Sequence, residues 1–130
     1  DETGAWHVID YKTGSAPSAA KVAAGRRTQL LIEALIAAEG GFESLSAGDV
    51  GAMEYWQLSG ARGKIAVPTD VLPTEWQPAE THSHLANLVR LFDDPNTSYP
   101  SEPDISQRPA FSPYRHLARV AEWQAEDSDE

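Results

Sequence analysis

The sequence of 130 residues contains no cysteine. This absence excludes a disulfide scaffold, a zinc site with cysteine ligands and a cysteine-ligated iron–sulfur cluster. It is compatible with a cytoplasmic location, which we predict for the protein. Hydrophobic residues make up 41% of the chain, so we expect a folded core rather than disorder.

Long apolar segments are also missing. No apolar run approaches the roughly 18 residues that a membrane-spanning helix requires, and no basic-then-apolar signal segment opens the chain. We therefore expect no membrane partner. The length of 130 residues is enough for one domain with one core.

Basic residues are scarce, because 10 Lys and Arg stand against 20 Asp and Glu and give a formal net charge of −10. This balance argues against a surface that coats DNA in general. The charge is spread unevenly, since residues 1–65 carry a net charge of −2 and residues 66–130 carry −8. Contact with a phosphate backbone would therefore need a local basic patch.

Acidic residues are absent from residues 11–32, which carry four basic residues: Lys12, Lys21, Arg26 and Arg27. A basic patch at this place could hold a phosphate backbone while the rest of the domain stays acidic. The alternative is a charge fluctuation on a solvated helix. Charge alone favours neither interpretation.

Residues 5–12 are predicted to form a short apolar strand that ends in a Thr-Gly turn. Asp10 and Lys12 lie two residues apart, so both project from the same face of this strand. A carboxylate binds hard divalent cations, and a lysine orients or deprotonates water or offsets charge on a phosphate. The pair suits metal-assisted phosphodiester hydrolysis. The simpler alternative is a surface ion pair on the wet face of the strand.

The strongest helix prediction covers residues 28–39, which contain no Gly or Pro and are followed by two glycines. Thr28 is the predicted N-cap. Leu31, Leu35 and Ala38 line one face, with Ile32 and Ile36 beside them, and so broad an apolar surface predicts burial against a sheet.

A second strand is predicted over residues 50–59, where apolar and polar residues alternate. The remaining predictions are an edge strand at residues 65–67, a helix at 79–93, a proline-rich extended connection at 93–111, and a helix that begins at Ser112 and continues through Trp123. We expect residues 126–130 to form a disordered acidic tail.

Several strings resemble the nuclease domain of the RecB and AddB family, which belongs to the PD-(D/E)xK nuclease superfamily. Residues 8–14 read Val-Ile-Asp-Tyr-Lys-Thr-Gly, and Gln29-Leu30 follows on the next long helix. Residues 55–60, Tyr-Trp-Gln-Leu-Ser-Gly, and residues 114–123, Tyr-x-His-Leu-Ala-Arg-Val-x-Glu-Trp, are similar to the C-terminal end of AddB-type double-strand break repair proteins.

This resemblance implies an α/β fold: a partial restriction-endonuclease-like core, with a small mixed sheet and flanking helices, plus a C-terminal helical extension. Residues 1–125 would be the C-terminal portion of a nuclease domain. The implied function is part of a magnesium-dependent DNA exonuclease subunit, in a helicase–nuclease complex that processes DNA ends in double-strand break repair. Its implied partners are DNA and an AddA-like helicase–nuclease subunit.

The resemblance also implies roles for individual residues. Asp10 would be a ligand of Mg²⁺ or Mn²⁺, Lys12 the catalytic lysine and Gln29 an auxiliary catalytic residue. The implied DNA-binding residues are Lys21, Arg26 and Arg27. Relatives often carry a tyrosine four residues after the glutamine, whereas this chain has Glu33 there.

The superfamily places a further acidic metal ligand on the strand before the Asp-x-Lys strand. This sequence opens at a predicted hairpin turn, residues 1–4, so we expect a fragment of a longer polypeptide that carries half a metal site and is inactive alone. Two alternatives remain. One is an inactive nuclease fold that binds DNA or a helicase partner. The other is an unrelated interaction domain with Trp56, Trp76 and Trp123 in its core.

Overall fold

The structure, a computed structural model, describes residues 2–58, 67–100, 111, 113 and 115–118. The chain divides into two compact units, residues 1–89 and 90–130. In chain order the elements are β1 (Trp6–Lys12), α1 (Ala19–Ala23), α2 (Gln29–Ala38), β2 (Val50–Gln57), β3 (Val67–Asp70), α3 (Pro78–Asp93) and α4 (Arg115–Ala118).

The first unit is built on a three-stranded sheet in the order β1-β2-β3. β1 and β2 are parallel, whereas β2 and β3 are antiparallel. A parallel pair needs a crossover connection, and the segment that carries α1 and α2 supplies it. The predicted α/β class, with a small mixed sheet and flanking helices, is therefore confirmed.

The core lies where α2 and its neighbours pack on one face of the sheet. Met53 and Tyr55 of β2 are buried on this face, with exposed fractions of 0% and 1%. The other members of the buried cluster come from α1, α2 and the segment after β3: Val22, Leu30, Ala34 and Val71. Their common burial holds the end of β1 and the start of α2 close together.

The prediction of which α2 residues face the sheet is only partly correct. Leu35 is buried as predicted, whereas Leu31 and Ala38 are only partly buried. Leu30 and Ala34, which the prediction did not include, are fully buried. Apolar residues surround this helix on nearly every side, so the pattern does not single out one face, and packing on the sheet selects it. Thr28 also makes no side-chain cap hydrogen bond, because its own backbone is already helical (φ −88°, ψ −8°).

The predicted edge strand is present, and its described part begins at the last residue of the predicted range. β3 spans Val67–Asp70, and the structure does not describe residues 65 and 66. Pro68 belongs to this strand, which pairs with β2 on one side in the described part of the sheet. An edge strand tolerates proline because the missing N–H is not needed by a second neighbour.

The helix predicted at residues 79–93 is confirmed as α3, Pro78–Asp93. In the second unit, Phe92 and Tyr99 stack with ring centroids 4.5 Å apart. Of the helix predicted from Ser112 to Trp123, the structure describes α4; Ser112, Trp123 and residues 126–130 lie outside the described residues. None of the described helices has the length and apolar character that crossing a membrane requires.

Candidate active site

Asp10 and Lys12 lie at the C-terminal end of β1, on the face of the sheet that α2 covers. The Lys12 Nζ is 2.7 Å from the Asp10 Oδ2, which makes an ion pair. The Asp10 side chain is 18% exposed and the Lys12 side chain 31% exposed. Strand geometry places the two groups on one face, and partial burial protects their interaction from full solvent screening.

Gln29, the first residue of α2, joins this pair. Its side-chain Oε1 accepts a hydrogen bond from the Lys12 Nζ at 3.1 Å. Its Nε2 donates to the Asp10 Oδ1 at 3.2 Å. One amide therefore contacts both charged groups, although it lies 19 residues after Asp10 in the sequence. The crossover between β1 and β2 brings the start of α2 to the end of β1.

Glu33 also belongs to this cluster, which sequence analysis did not predict. The Gln29 Nε2 donates a second hydrogen bond to the Glu33 Oε1 at 3.1 Å. The two residues are four apart on α2, and such pairs share one side of a helix. This spacing was the signal available in the sequence.

The lysine is held in its charged form. Its contact with Asp10 is the largest influence and raises the pKa of Lys12 above its ordinary value of 10.5. Partial removal from water lowers the Lys12 pKa. The negative charges of Asp10 and Glu33 raise it, as the contact does. The ammonium also lies 5.4 Å from the centre of the Tyr55 ring, within cation–π range. Lys12 is thus a cation at neutral pH.

Tyr55 lies beneath the charged cluster and is opposite Asp10 in the register between β1 and β2. Burial raises the pKa of Tyr55 above its ordinary 10.0, and the positive charge of Lys12 partly opposes this change. The phenol is therefore neutral at physiological pH. Its ring forms an apolar floor under the Lys12 side chain.

The chemistry of Asp10 suits a hard cation such as Mg²⁺, which prefers carboxylate oxygens. The Asp10 Oδ2 is shielded from solvent, and its partner among the described residues is the Lys12 ammonium at 2.7 Å. Within residues 2–58 and 67–100, however, no three His, Asp or Glu side chains converge as a metal-binding group. Asp10 fits as one ligand, and the described part of the chain does not complete the set.

A polar cleft of about 510 Å³ adjoins the Asp10–Lys12 pair. It is lined by residues from the end of β1 to the start of α2, together with Tyr55, and none of them is acidic: Lys12, Ser15, Ala16, Pro17, Lys21, Arg26, Arg27, Thr28, Gln29 and Tyr55. The lining is strongly positive in a protein with a net charge of −10. Such a cleft concentrates a local positive potential.

A turn between α1 and α2 places the two arginines on this cleft. Gly25 adopts a φ of +67°, a left-handed conformation that glycine accommodates at low cost. Arg26 and Arg27 follow directly, and both are exposed. Lys21 is the last-turn basic residue of α1 and is also exposed. The structure thus brings together the three residues predicted to bind DNA.

The structure also brings Asp10, Lys12 and Gln29 into one hydrogen-bonded cluster. Their placement agrees with the spacing argument from the sequence. Their chemical roles stay predictions.

Comparison with curated proteins and with solved structures finds no match to this chain. A family model does match: residues 1–126 fit the PD-(D/E)XK nuclease superfamily. The match includes β1 with Asp10 and Lys12, α2 with Gln29, and the cleft between them. With nearly all of its length covered, the chain belongs to the PD-(D/E)XK nuclease superfamily.

Proposed function

We propose that this chain carries the Asp-x-Lys strand of a metal-dependent DNA nuclease. Members of the superfamily are typically nucleases that hydrolyse phosphodiester bonds with a divalent cation. The observation that carries the proposal is the cluster of Asp10, Lys12 and Gln29 at the edge of a cleft with positive lining. A carboxylate and an ammonium side by side, next to a site for phosphates, suit that chemistry.

In this proposal Lys12 acts as a cation rather than as a base. Its ammonium pairs with the Asp10 carboxylate, and this contact raises the pKa of Lys12. Its N–H groups are directed at oxygen atoms, namely the Asp10 Oδ2 and the Gln29 Oε1. With substrate bound, we expect Lys12 to stabilise negative charge that develops on the phosphate oxygens.

Asp10 would hold the divalent cation, Mg²⁺ or Mn²⁺, as one of its oxygen ligands. When bound, the cation supplies positive charge at the phosphate and at the attacking and leaving oxygens. The described residues do not complete its ligand set, and we propose that Asp10 is the ligand that they contribute. The chain by itself should then bind the cation poorly and have little nuclease activity.

Lys21, Arg26 and Arg27 would hold the DNA backbone in the cleft. Phosphate contacts position a nucleic acid without reading its sequence. Tyr55 is the aromatic residue of the lining and is only 1% exposed, so it offers no surface on which a base could stack. The cleft is therefore suited to a backbone of any sequence.

We propose a more specific role from the sequence strings that resemble AddB proteins. In that role the parent polypeptide is an exonuclease subunit of a cytoplasmic helicase–nuclease complex with an AddA-like partner, and it processes DNA ends in double-strand break repair. The support is the similarity of residues 8–14, 55–60 and 114–123.

The test is magnesium-dependent digestion of linear DNA by the longer polypeptide that we expect to contain this sequence. Lys12→Ala should lower the rate by about 10²- to 10⁴-fold, the range for a positioned catalytic group. Asp10→Ala should cause a comparable loss because it removes a metal ligand. Glu39→Ala, an exposed acid at the other end of α2, is the control and should cut at the parent's rate.

A second candidate is a nuclease-fold module that binds DNA or a helicase partner without cutting. The absence of a three-ligand acidic group from the described residues favours it. An inert parent polypeptide, or Asp10→Ala and Lys12→Ala variants that both cut at the parent's rate, would replace the nuclease proposal with this one. If the parent polypeptide cuts no DNA but still binds it, that result would support the proposal of a non-cutting binding module.

A further inference from the structure

The Gln29 side-chain amide contacts three charged groups, one through its carbonyl oxygen and two through its nitrogen. A glutamine amide offers two N–H donors and a carbonyl oxygen with two lone pairs. The carbonyl oxygen accepts from Lys12, one N–H faces Asp10, and the other faces Glu33. The charges around it decide its orientation. A flipped amide would direct N–H groups at an ammonium and its carbonyl oxygen at two carboxylates.

Glu33 lies on a different secondary-structure element from the other two partners of this amide. Asp10 and Lys12 lie on β1, whereas Glu33 lies on α2, one turn after Gln29. Its position relative to the Gln29 backbone is therefore set by the helix itself. A partner on the same helix restrains the Gln29 side chain even when the groups on β1 change their contacts.

Glu33 also changes the charge of the cluster. Asp10 and Lys12 neutralise one another, so Glu33 leaves the group with one net negative charge. Its carboxylate stabilises the charged form of Lys12. It is half-buried, which strengthens this interaction relative to that of a fully solvated acid.

We propose that Glu33 is a positioning residue, which holds one N–H of Gln29 so that the amide keeps Asp10 and Lys12 in their paired geometry. This inference rests on the proposed function, because the groups that it positions are those assigned to hydrolysis. The same contacts indicate which groups Gln29 acts on. Since neither N–H of Gln29 is free, the amide acts on Asp10 and Lys12 and does not donate to a DNA phosphate.

The structural half of this proposal is tested by NMR on the 130-residue chain, through the two side-chain N–H signals of Gln29. Glu33→Ala removes an acceptor, so one of the two signals should shift upfield and exchange faster with water, while the other keeps its position. Glu33→Gln retains a carbonyl oxygen at the same place, so the affected N–H signal should lie close to its wild-type position. Glu39→Ala, on the same helix but outside the cluster, should move neither signal.

Far-ultraviolet circular dichroism shows whether each variant keeps the wild-type fold. If Glu33→Ala folds as wild type and neither Gln29 signal responds, Glu33 does not hold the amide and the proposal is overturned. If Glu33→Ala does not fold, Glu33→Met decides, because methionine is of similar length but offers no carboxylate acceptor: unchanged Gln29 signals in a folded Glu33→Met variant also overturn the proposal. A selective response of one N–H supports it, even in a chain that cuts no DNA.

The functional half is tested by DNA digestion with the longer polypeptide. Glu33→Ala should lower kcat by about 10- to 100-fold, the range for groups that orient the ligands of a metal site, with KM for DNA unchanged. Glu33→Gln should recover most of kcat. An unchanged kcat in Glu33→Ala, in a parent that is active, overturns the proposal. An inert parent overturns the nuclease assignment alone, because the NMR response does not depend on catalysis.

Discussion

The Asp10 Oδ2 and the Lys12 Nζ lie 2.7 Å apart at the end of β1, on the covered face of the sheet. An exposed pair of this kind contributes little, because water and salt screen it and two mobile side chains must be ordered. Here the Asp10 oxygen is shielded from solvent and Gln29 contacts both residues. The pair is thus held in one geometry before any ligand binds.

The first prediction concerns stability at alkaline pH. The folded protein keeps the Lys12 proton after the unfolded chain has lost it, because contact with Asp10 raises the Lys12 pKa above 10.5. The stabilisation is complete below pH 10.5 and is lost as the pH rises through the folded-state pKa. Urea unfolding at a series of pH values should show a free energy of unfolding that falls in this range.

Tyr55 should contribute to the same decline. Burial raises its pKa above 10.0, so the unfolded chain releases the phenol proton first and unfolding is favoured as the pH rises. Lys12→Met and Tyr55→Phe should each make the decline shallower. Lys21→Met, a lysine of the cleft that does not pair with Asp10, is the matched control. A decline that is equally steep in Lys12→Met and in wild type would contradict the assignment.

A second prediction concerns DNA in the cleft. Four basic residues line it in a chain with a net charge of −10, so binding by the 130-residue chain should be weak and should vanish as salt rises. For about four phosphate contacts on single-stranded DNA, log affinity should fall with log salt concentration with a slope of roughly −3. Fluorescence anisotropy of labelled oligonucleotides measures this slope.

Charge reversal identifies the contact surface in the same assay. Arg26→Glu with Arg27→Glu should abolish the binding that remains at low salt. Gln77→Glu with Ser83→Glu adds negative charge at two exposed positions of the first unit that do not line the cleft, so it should weaken binding far less. Binding that persists at high salt, or that both double variants reduce equally, would show that the cleft is not the contact.

A third prediction follows from the buried face of α2. Leu30 is 0% exposed and lies in the core cluster, so Leu30→Ala should lower the free energy of unfolding by about 2–5 kcal/mol. Leu31 is only partly buried, and Leu31→Ala should cost about 1 kcal/mol. Denaturant melts of the two variants compare these losses directly. A larger loss for Leu31→Ala would mean that the helix packs through the face expected from the sequence.

A fourth prediction compares two glycines with similar backbone conformations. Gly40 has a φ of +71°, and a Cβ added there would lie 2.7 Å from the backbone nitrogen of Ala47. Gly25 has a φ of +67°, but a Cβ there would meet nothing within 4 Å. Gly25→Ala should therefore cost about 1–2 kcal/mol from backbone strain alone. Gly40→Ala should cost more, because the contact forces the chain to move; equal losses in thermal melts would contradict this.

Local periodicity was sufficient to place Asp10 and Lys12 together. Alternation along a strand is a property of the backbone, so residues two apart share a face wherever the strand lies. The same local reasoning predicted β2 and α3, since strong patterns and flanking turn residues do not depend on distant contacts. The acid-free composition of residues 11–32 made a basic patch one of two open interpretations, and the fold then placed its four basic residues around one cleft.

Tertiary structure decided which side of α2 is buried and what its polar residues contact. An almost wholly apolar helix has no marked inner face, so the sheet beneath it selected Leu30 and Ala34. The contact of Gln29 with Asp10 joins residues 19 positions apart, and that distance is closed only by the crossover from β1 to β2. Glu33 entered the cluster for the same reason. Helical spacing ties it to Gln29, but only packing of the helix on the sheet directs that side of α2 towards Asp10 and Lys12.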